Sequence, residues 1–390
     1  MDNQYTIAAI WMGLAFVAAM LAGWTGISVS VLEILVGVAA GNFLHLGTNT
    51  WIVFLAGFGS VLLTFLAGAE IDPSVLRRRW RETFSIGAIA FFLPFLGVMA
   101  FAYFVAGWKF HQAEIAGIAL STTSVAVVYA VMVETGFNDT DLGKVILAAC
   151  FINDLGTVLA LGLLFANFNW YLLAFVAATA AVLPVAPRLT RWVIANTKGR
   201  ISEPEVKFVF LMMLFLGGLA TAGGSEAILP AYLLGMVLAG VFMKERVLVQ
   251  RMRTTAFSIL TPFYFIRAGT LVSLPAMIAG LALILAFLGM KVVTKFIGVA
   301  PLTVAFGIPR REGMYTTLLM CTGLTFGSIS ALFGLTHGVI DQRQYTILVT
   351  TVVLSAFVPT LIAQQFFKPD LAAHIAEDAT RREAIPEATD

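Results

Sequence analysis

Charged side chains are scarce in this sequence. They make up 12% of its 390 residues, about half the share of an ordinary soluble domain, which excludes a solvated globular surface. Cysteine is nearly absent. Cys150 and Cys321 both lie in apolar runs, so no disulfide framework and no zinc-ligand spacing is available. Histidine is equally rare: His45, His111, His337 and His374 fall between apolar runs or in the tail, the ordinary place for solvated residues. The net charge is only +2, and no basic stretch is interleaved with aromatics, so nucleic acid is not an expected partner. The opening "MDNQYTIAAIW" lacks the basic region of a secretory signal, and the first apolar run is expected to be retained. Nothing points to a cofactor.

What fills the chain instead is apolar. Hydrophobic residues reach 59% and the mean hydropathy is +0.92. Runs of about 20 apolar residues suit membrane-crossing helices, whereas barrel strands would alternate over segments of about 10. The expectation is an all-α polytopic membrane protein. Charged and turn-rich stretches divide it into about thirteen spans, near 6–24, 28–46, 51–71, 83–107, 113–134, 143–166, 169–186, 206–222, 228–243, 255–272, 276–300, 313–334 and 345–366.

Lysine and arginine test that count, because cytoplasmic connections carry the excess of both. "RRRWR" (Arg77 to Arg81) follows span 3, and Lys144 follows span 5. Arg188, Arg191, Lys198, Arg200 and Lys207 follow span 7, and Lys244, Arg246, Arg251 and Arg253 follow span 9. Arg310 and Arg311 follow span 11, and Lys368, Arg381 and Arg382 stand in the tail. All of these connections come after odd-numbered spans. Those after even spans hold only Lys109 and Arg343. The N-terminus is therefore expected outside and the C-terminus in the cytoplasm, with residues 367–390 a short, polar cytoplasmic tail.

Against this background a few polar residues at depth stand out. "CFINDLGTVLALGLLF" places Asn153 and Asp154 side by side in span 6. Asp154 lies ten residues from Lys144, roughly 15 Å along a helix, too deep to snorkel. An ionisable residue so placed costs several kcal/mol and marks a candidate ion or proton site. Span 5 offers four hydroxyls in succession, Ser121, Thr122, Thr123 and Ser124, as oxygen ligands around a local break. Span 12, "MCTGLTFGSISALFGL", brackets Thr325 between Gly323 and Gly327, a spacing that serves close helix packing or an interruption. Spans 5 and 12 are seven apart. An odd offset gives corresponding elements opposite membrane orientations, and paired interrupted segments point to a transporter's binding site. In span 11, Lys291 and Lys295 share a helical face and either meet Asp154 or, for Lys295, snorkel to the interface. Glu70 stands close to Arg77 at the end of span 3, Glu33 lies one turn inside span 2, and Arg267 has no evident partner.

With these residues in view, the chain resembles the monovalent cation/proton antiporters, the sodium/proton or potassium/proton exchangers of NhaA-like or NapA-like fold. "EILVGVAAGN" in span 2, "FLAGAEID" in span 3, "LSTTSVAVV" in span 5, "ND" in span 6, "KFIG" in span 11 and "GLTFGSIS" in span 12 carry the likeness. Each is weak alone, but their order and spacing are specific. The resemblance implies inverted repeats with two discontinuous, crossing helices, spans 5 and 12, and elevator-type alternating access. It implies a scaffold and homodimer part (about 1–80 and 206–272), a moving core (about 83–166 and 276–366) and a linker helix (about 169–200) within one transmembrane unit, 1–366. It also implies a bacterial inner membrane. Asp154 would carry Na⁺ or K⁺, or H⁺, helped by Asn153 and the oxygens of Thr122, Thr123 and Ser124. Lys295 and Glu70 would be supporting charges, and Ser121, Gly323, Thr325 and Gly327 would shape the crossing.

One departure matters. Electrogenic relatives carry two aspartates where this chain has Asn153 and Asp154, while electroneutral ones commonly have arginine at the Lys295 position. A single carboxylate, neutralised by one proton or one cation before crossing, yields electroneutral 1:1 exchange. A sodium-coupled solute symporter of the same architecture is the alternative. A channel lacks a filter here, and an intramembrane aspartyl protease would need a second deep aspartate. Polar spacing does not choose among Na⁺, K⁺ and Li⁺.

Overall fold

The structure is a computed structural model that describes residues 3–25, 29–69, 79–125, 127–128, 131–132, 137, 140–165, 170–197, 202–222 and 227–370. Glu70, the second half of span 5 in part, and residues 371–390 of the tail lie outside the described residues. Among the described residues every regular element is helical. Among the described residues nine helical segments are long and apolar enough to cross a membrane, the interrupted Arg310–Thr336 counted as one, and two shorter apolar ones, Val29–Phe43 and Ile228–Phe242, accompany them. The protein is an all-helical, polytopic membrane protein.

In chain order the helices are α1 (Gln4–Thr25), α2 (Val29–Phe43), α3 (Thr50–Ala69), α4 (Trp80–Phe104), α5 (Phe110–Ser121), α6 (Asp141–Leu164) and α7 (Trp170–Thr197). Then come α8 (Pro204–Ala222), α9 (Ile228–Phe242), α10 (Arg246–Thr255), a π turn (Ala256–Leu260), α11 (Thr261–Thr270) and α12 (Leu274–Ala279). The last four are α13 (Leu281–Ala305), α14 (Arg310–Met320), α15 (Thr325–Thr336) and α16 (Gln342–Phe366). Their starts recur about 200 residues apart: Gln4 and Pro204, Val29 and Ile228, Trp80 and Leu281, Phe110 and Arg310, Asp141 and Gln342. Even the turns match. Gly107 after α4 and Gly307 after α13 both adopt positive φ, 70° and 71°, the left-handed conformation that commonly ends a helix and that glycine enters without a Cβ penalty.

Local chemistry explains where the helices depart from the apolar runs. Span 10 is not one regular helix. Pro262 lacks an N–H and its ring would meet the carbonyl four residues back, and the chain widens into the π turn just before it. Span 11 is divided at Gly280, and its first turn forms the separate α12, where Ser273 Oγ accepts from the Ala276 N–H at 3.4 Å. Helix α7 continues past 186 to Thr197 with Pro184 and Pro187 inside it.

Two compact units divide the chain. One takes Met1–Pro73, Leu155–Leu285 and Ser328–Thr350, and the other Ser74–Asp154, Ala286–Gly327 and Thr351–Asp390. In the first, α2 packs on α11 and α3 on α9, and glycine makes both approaches possible. A Cβ on Gly37 or Gly269 would run into the backbone of Ile266 or Ile34, and one on Gly235 into that of Phe65. Hydrocarbon offers no hydrophobic drive to join helices, so small residues that let backbones touch take over. Around the second pair Phe65, Leu62, Met213, Leu234, Leu238 and Met252 form a dry core. The second unit holds both helix interruptions, at Thr122–Ser124 and Thr322–Leu324, and Asn153, Asp154, Lys291 and Lys295.

Candidate functional site

The two interruptions expected in spans 5 and 12 are present. Helix α5 stops at Ser121, Thr122 to Ser124 are non-helical, and helical backbone resumes at Val125. Helix α14 stops at Met320, and α15 starts at Thr325 after the non-helical Thr322, Gly323 and Leu324. The breaks bind each other. The Ser124 N–H donates to the Thr322 carbonyl at 3.1 Å, and Thr123 Oγ1 donates to the Met320 carbonyl at 2.9 Å. Backbone groups freed by an interrupted helix cannot turn to water in a membrane, so they must find such partners.

Asn153 holds the α5 break from the facing helix α6. Its Oδ1 accepts the Thr123 N–H at 2.8 Å, and its Nδ2 donates to the Ser121 carbonyl at 3.2 Å. One side chain thus serves a donor and an acceptor on both sides of the break, which an ionised carboxylate could not do. Ser121 and Thr122 turn their hydroxyls back to the carbonyls of Ile118 and Ala119. The Ser124 hydroxyl accepts from the Val127 N–H at 3.4 Å.

Two lysines are fully buried here. Lys295 Nζ donates to Thr123 Oγ1 at 2.9 Å, so it turns inward instead of snorkelling. Lys291 Nζ donates to the Thr122 carbonyl at 3.1 Å and to Ser355 Oγ at 3.0 Å. These ammonium groups sit where α5 and α14 end. The C-terminal end of a helix carries roughly half a negative charge, so each half-helix end favours a donor or cation at this place. Gly323 makes room, because a Cβ there would collide with Lys291 Nζ and stand 3.0 Å from Thr122 Oγ1. A Cβ on Gly327 would lie 2.8 Å from the Ala119 carbonyl oxygen, so that glycine sets the approach of α15 to α5.

Asp154 is 1% exposed, about halfway along the 24-residue α6. Its Oδ1 is buried and finds no hydrogen-bond partner among the described residues. No ion pair within 4.0 Å joins it to a described lysine or arginine. Such a group is expensive in a low-dielectric interior unless something binds it. Of the other residues singled out from sequence, Thr325 opens α15 half-buried, and Glu70 lies outside the described residues. Lys291 was visible only as one of a pair on a helix face, and Ser355 carried no signal, since its partner lies 64 positions away.

A membrane bundle whose two interrupted helices meet beside a buried carboxylate, one oxygen of which has no hydrogen-bond partner among the described residues, has the architecture of an ion-coupled secondary transporter. The sequence matches the model of the family described as sodium/hydrogen exchanger, transmembrane, over residues 12–368, and the chain belongs to that family. It is 22% identical over 382 residues to "Probable Na(+)/H(+) antiporter 3" of Methanocaldococcus jannaschii, which covers 94% of this chain and 97% of that one. It is 24% identical over 335 residues to "Cation/H(+) antiporter 18" of Arabidopsis thaliana, covering 81% of this chain but 41% of that protein, so it spans about two fifths of the plant relative. The fold is similar to that of the sodium proton antiporter MjNhaP1 of M. jannaschii, with a TM-score of 0.67 at 16% identity over 93% of this chain and 98% of the other. The relatives are cation/proton antiporters, that is, transporters. The protein is an integral membrane protein of a cation/proton antiporter family.

Proposed function

We propose that the chain exchanges one monovalent cation, Na⁺ or K⁺, for one proton at Asp154, by elevator-type alternating access in a bacterial inner membrane. The observation that carries this reading is the buried, unpartnered Oδ1 of Asp154. A bare carboxylate at this depth is too costly to carry across the bilayer. A protonated acid or a carboxylate holding one M⁺ is neutral, and either can cross. That asymmetry makes exchange obligatory. Asn153 adds no proton. Lys291 and Lys295 are held by fixed hydroxyl and carbonyl oxygens and keep the same charge in both loaded states. Each crossing therefore moves the same net charge whether loaded with cation or proton, and exchange is 1:1 and electroneutral.

In this reading residues of about 83–166 and 276–366 are the moving core, and residues of about 1–80 and 206–272 are the scaffold and homodimer part. Helix α7 links the two. The N-terminus faces outside and the C-terminus the cytoplasm. Carbonyl and hydroxyl oxygens near Thr123 suit a hard monovalent cation and complete its coordination beside Asp154.

The test is Asp154→Asn, which keeps the shape and removes the titrating charge. In proteoliposomes with a pH-sensing dye, the variant is expected to show no cation-driven proton movement while its elution and thermal unfolding midpoint stay close to wild type. Near-normal exchange in a folded Asp154→Asn protein would refute the assignment.

A further inference from the structure

Within the first unit, Pro187, Arg191 and Ile194 of α7 and Val237, Gly240 and Lys244 at the end of α9 line an open cleft of about 470 Å³. Most of the lining residues are apolar, with Arg191 and Lys244 among them. Among the described residues Arg191 spends only its Nε, on the Pro187 carbonyl at 3.1 Å, which leaves the rest of the guanidinium fork unspent there. Neither Arg191 nor Lys244 forms an ion pair among the described residues. Glu245 also lines the cleft, so two cations and one carboxylate leave it net positive.

The surroundings say which phase the cleft opens into. On α7 the neighbouring Val185, Leu189 and Trp192 are 50%, 40% and 63% exposed, an apolar surface of the kind that faces lipid. Tryptophan is enriched where hydrocarbon meets headgroups. The same end of the chain's helices gathers Arg188, Arg246, Arg251 and Arg253, the charge pattern of the cytoplasmic side. A volume of this size accepts a drug-sized molecule, and basic pockets between membrane helices on that side suit anionic headgroups.

We propose that the α7–α9 cleft is a binding site for one anionic glycerophospholipid of the cytoplasmic leaflet, its phosphate on Arg191 and Lys244 and an acyl chain along Pro187 and Val237. The guanidinium fork and ammonium recognise the phosphate, and the missing side chain at Gly240 leaves room for the chain. A Cβ on Gly240 meets nothing within 4 Å, so the space is open and a larger residue can fill it without disturbing the helix.

The test titrates phosphatidylglycerol, phosphatidylcholine and soluble glycerophosphate into the full-length protein in neutral detergent and follows the thermal unfolding midpoint. Wild type is expected to be stabilised by phosphatidylglycerol well above phosphatidylcholine. Arg191→Ala with Lys244→Ala should weaken the apparent affinity about tenfold or more, at roughly 1 kcal/mol per basic residue near an anionic surface. Gly240→Leu, which keeps both charges, should also abolish the preference by filling the cleft. Cation–proton exchange in pure phosphatidylcholine liposomes should be unchanged in all of them. An equal response to both lipids would overturn the proposal, as would an equal response to glycerophosphate or a preference that survives both variants. A change of oligomeric state in Gly240→Leu with the lipid preference intact would give the cleft to a second copy of the chain and overturn it as well.

Discussion

Asn153 shows how much a single atom type decides. Its amide gives a hydrogen to the Ser121 carbonyl and takes one from the Thr123 N–H, so the break in α5 is held from both sides. Asn153→Ala strands both backbone groups, at about 1–3 kcal/mol each, and should lower the thermal midpoint markedly. Asn153→Asp keeps the acceptor and loses the donor, and should fall between the two. If the ranking by differential scanning were reversed, the amide would not be the clamp described. Thr123 is a second such residue, accepting from Lys295 while donating to Met320. Thr123→Val leaves a buried ammonium short of a partner and should cost more than Thr123→Ser, which retains both bonds. The resemblance grouped Asn153, Thr123 and Lys295 at one site, but the bonds themselves were not readable in the sequence, where span 5 offered only a run of hydroxyls. A hydrogen bond between positions 30 or 172 residues apart leaves no trace in local pattern.

At the level of helices, glycine decides which elements can touch. Gly37 and Gly269 let α2 and α11 meet backbone to backbone, and a side chain at either would strike a carbonyl. Gly269→Val should therefore destabilise by about 1–3 kcal/mol or more through overpacking. Gly57→Ala, where a Cβ meets nothing within 4 Å, should be neutral or mildly stabilising. Equal midpoints for the two would contradict this packing. At the crossing, Gly323→Ala would press on Lys291 Nζ and should reduce exchange in a folded protein. The interruptions themselves were legible, because hydroxyls crowd one span and Gly323 and Gly327 punctuate its counterpart seven spans on. The π turn before Pro262 and the division at Gly280 were not. An apolar run reads the same whether its helix is straight, widened or broken, since hydropathy records burial and not hydrogen-bond register.

For the whole molecule, helix starts recur about 200 residues apart, and lysine and arginine alternate from one connection to the next. Lysine and arginine mark one set of connections, so they also fix a prediction: a reporter fused to the C-terminus should be protected in right-side-out vesicles and exposed in inverted ones. The opposite result would reverse the topology and with it the side at which each ion loads. The depth of Asp154 could be read from its distance to Lys144, whereas the burial of both lysines could not, because a lysine near a span end is free to snorkel. If, as proposed, those two lysines carry the same charge in either loaded state, an imposed membrane voltage should leave the exchange rate unchanged. Strong voltage dependence would make one of the lysines a second proton carrier.

The most direct measurement is the binding of the alkali cation to purified protein as a function of pH, by calorimetry or cation-dependent thermal shift. If proton and metal ion contend for one carboxylate, the apparent dissociation constant should rise by about tenfold for each unit of falling pH once the proton holds the site. Asp154→Asn should show no such binding at any pH. A dissociation constant indifferent to pH, or tight binding that survives in Asp154→Asn, would mean that the two ions occupy separate places and would contradict the account.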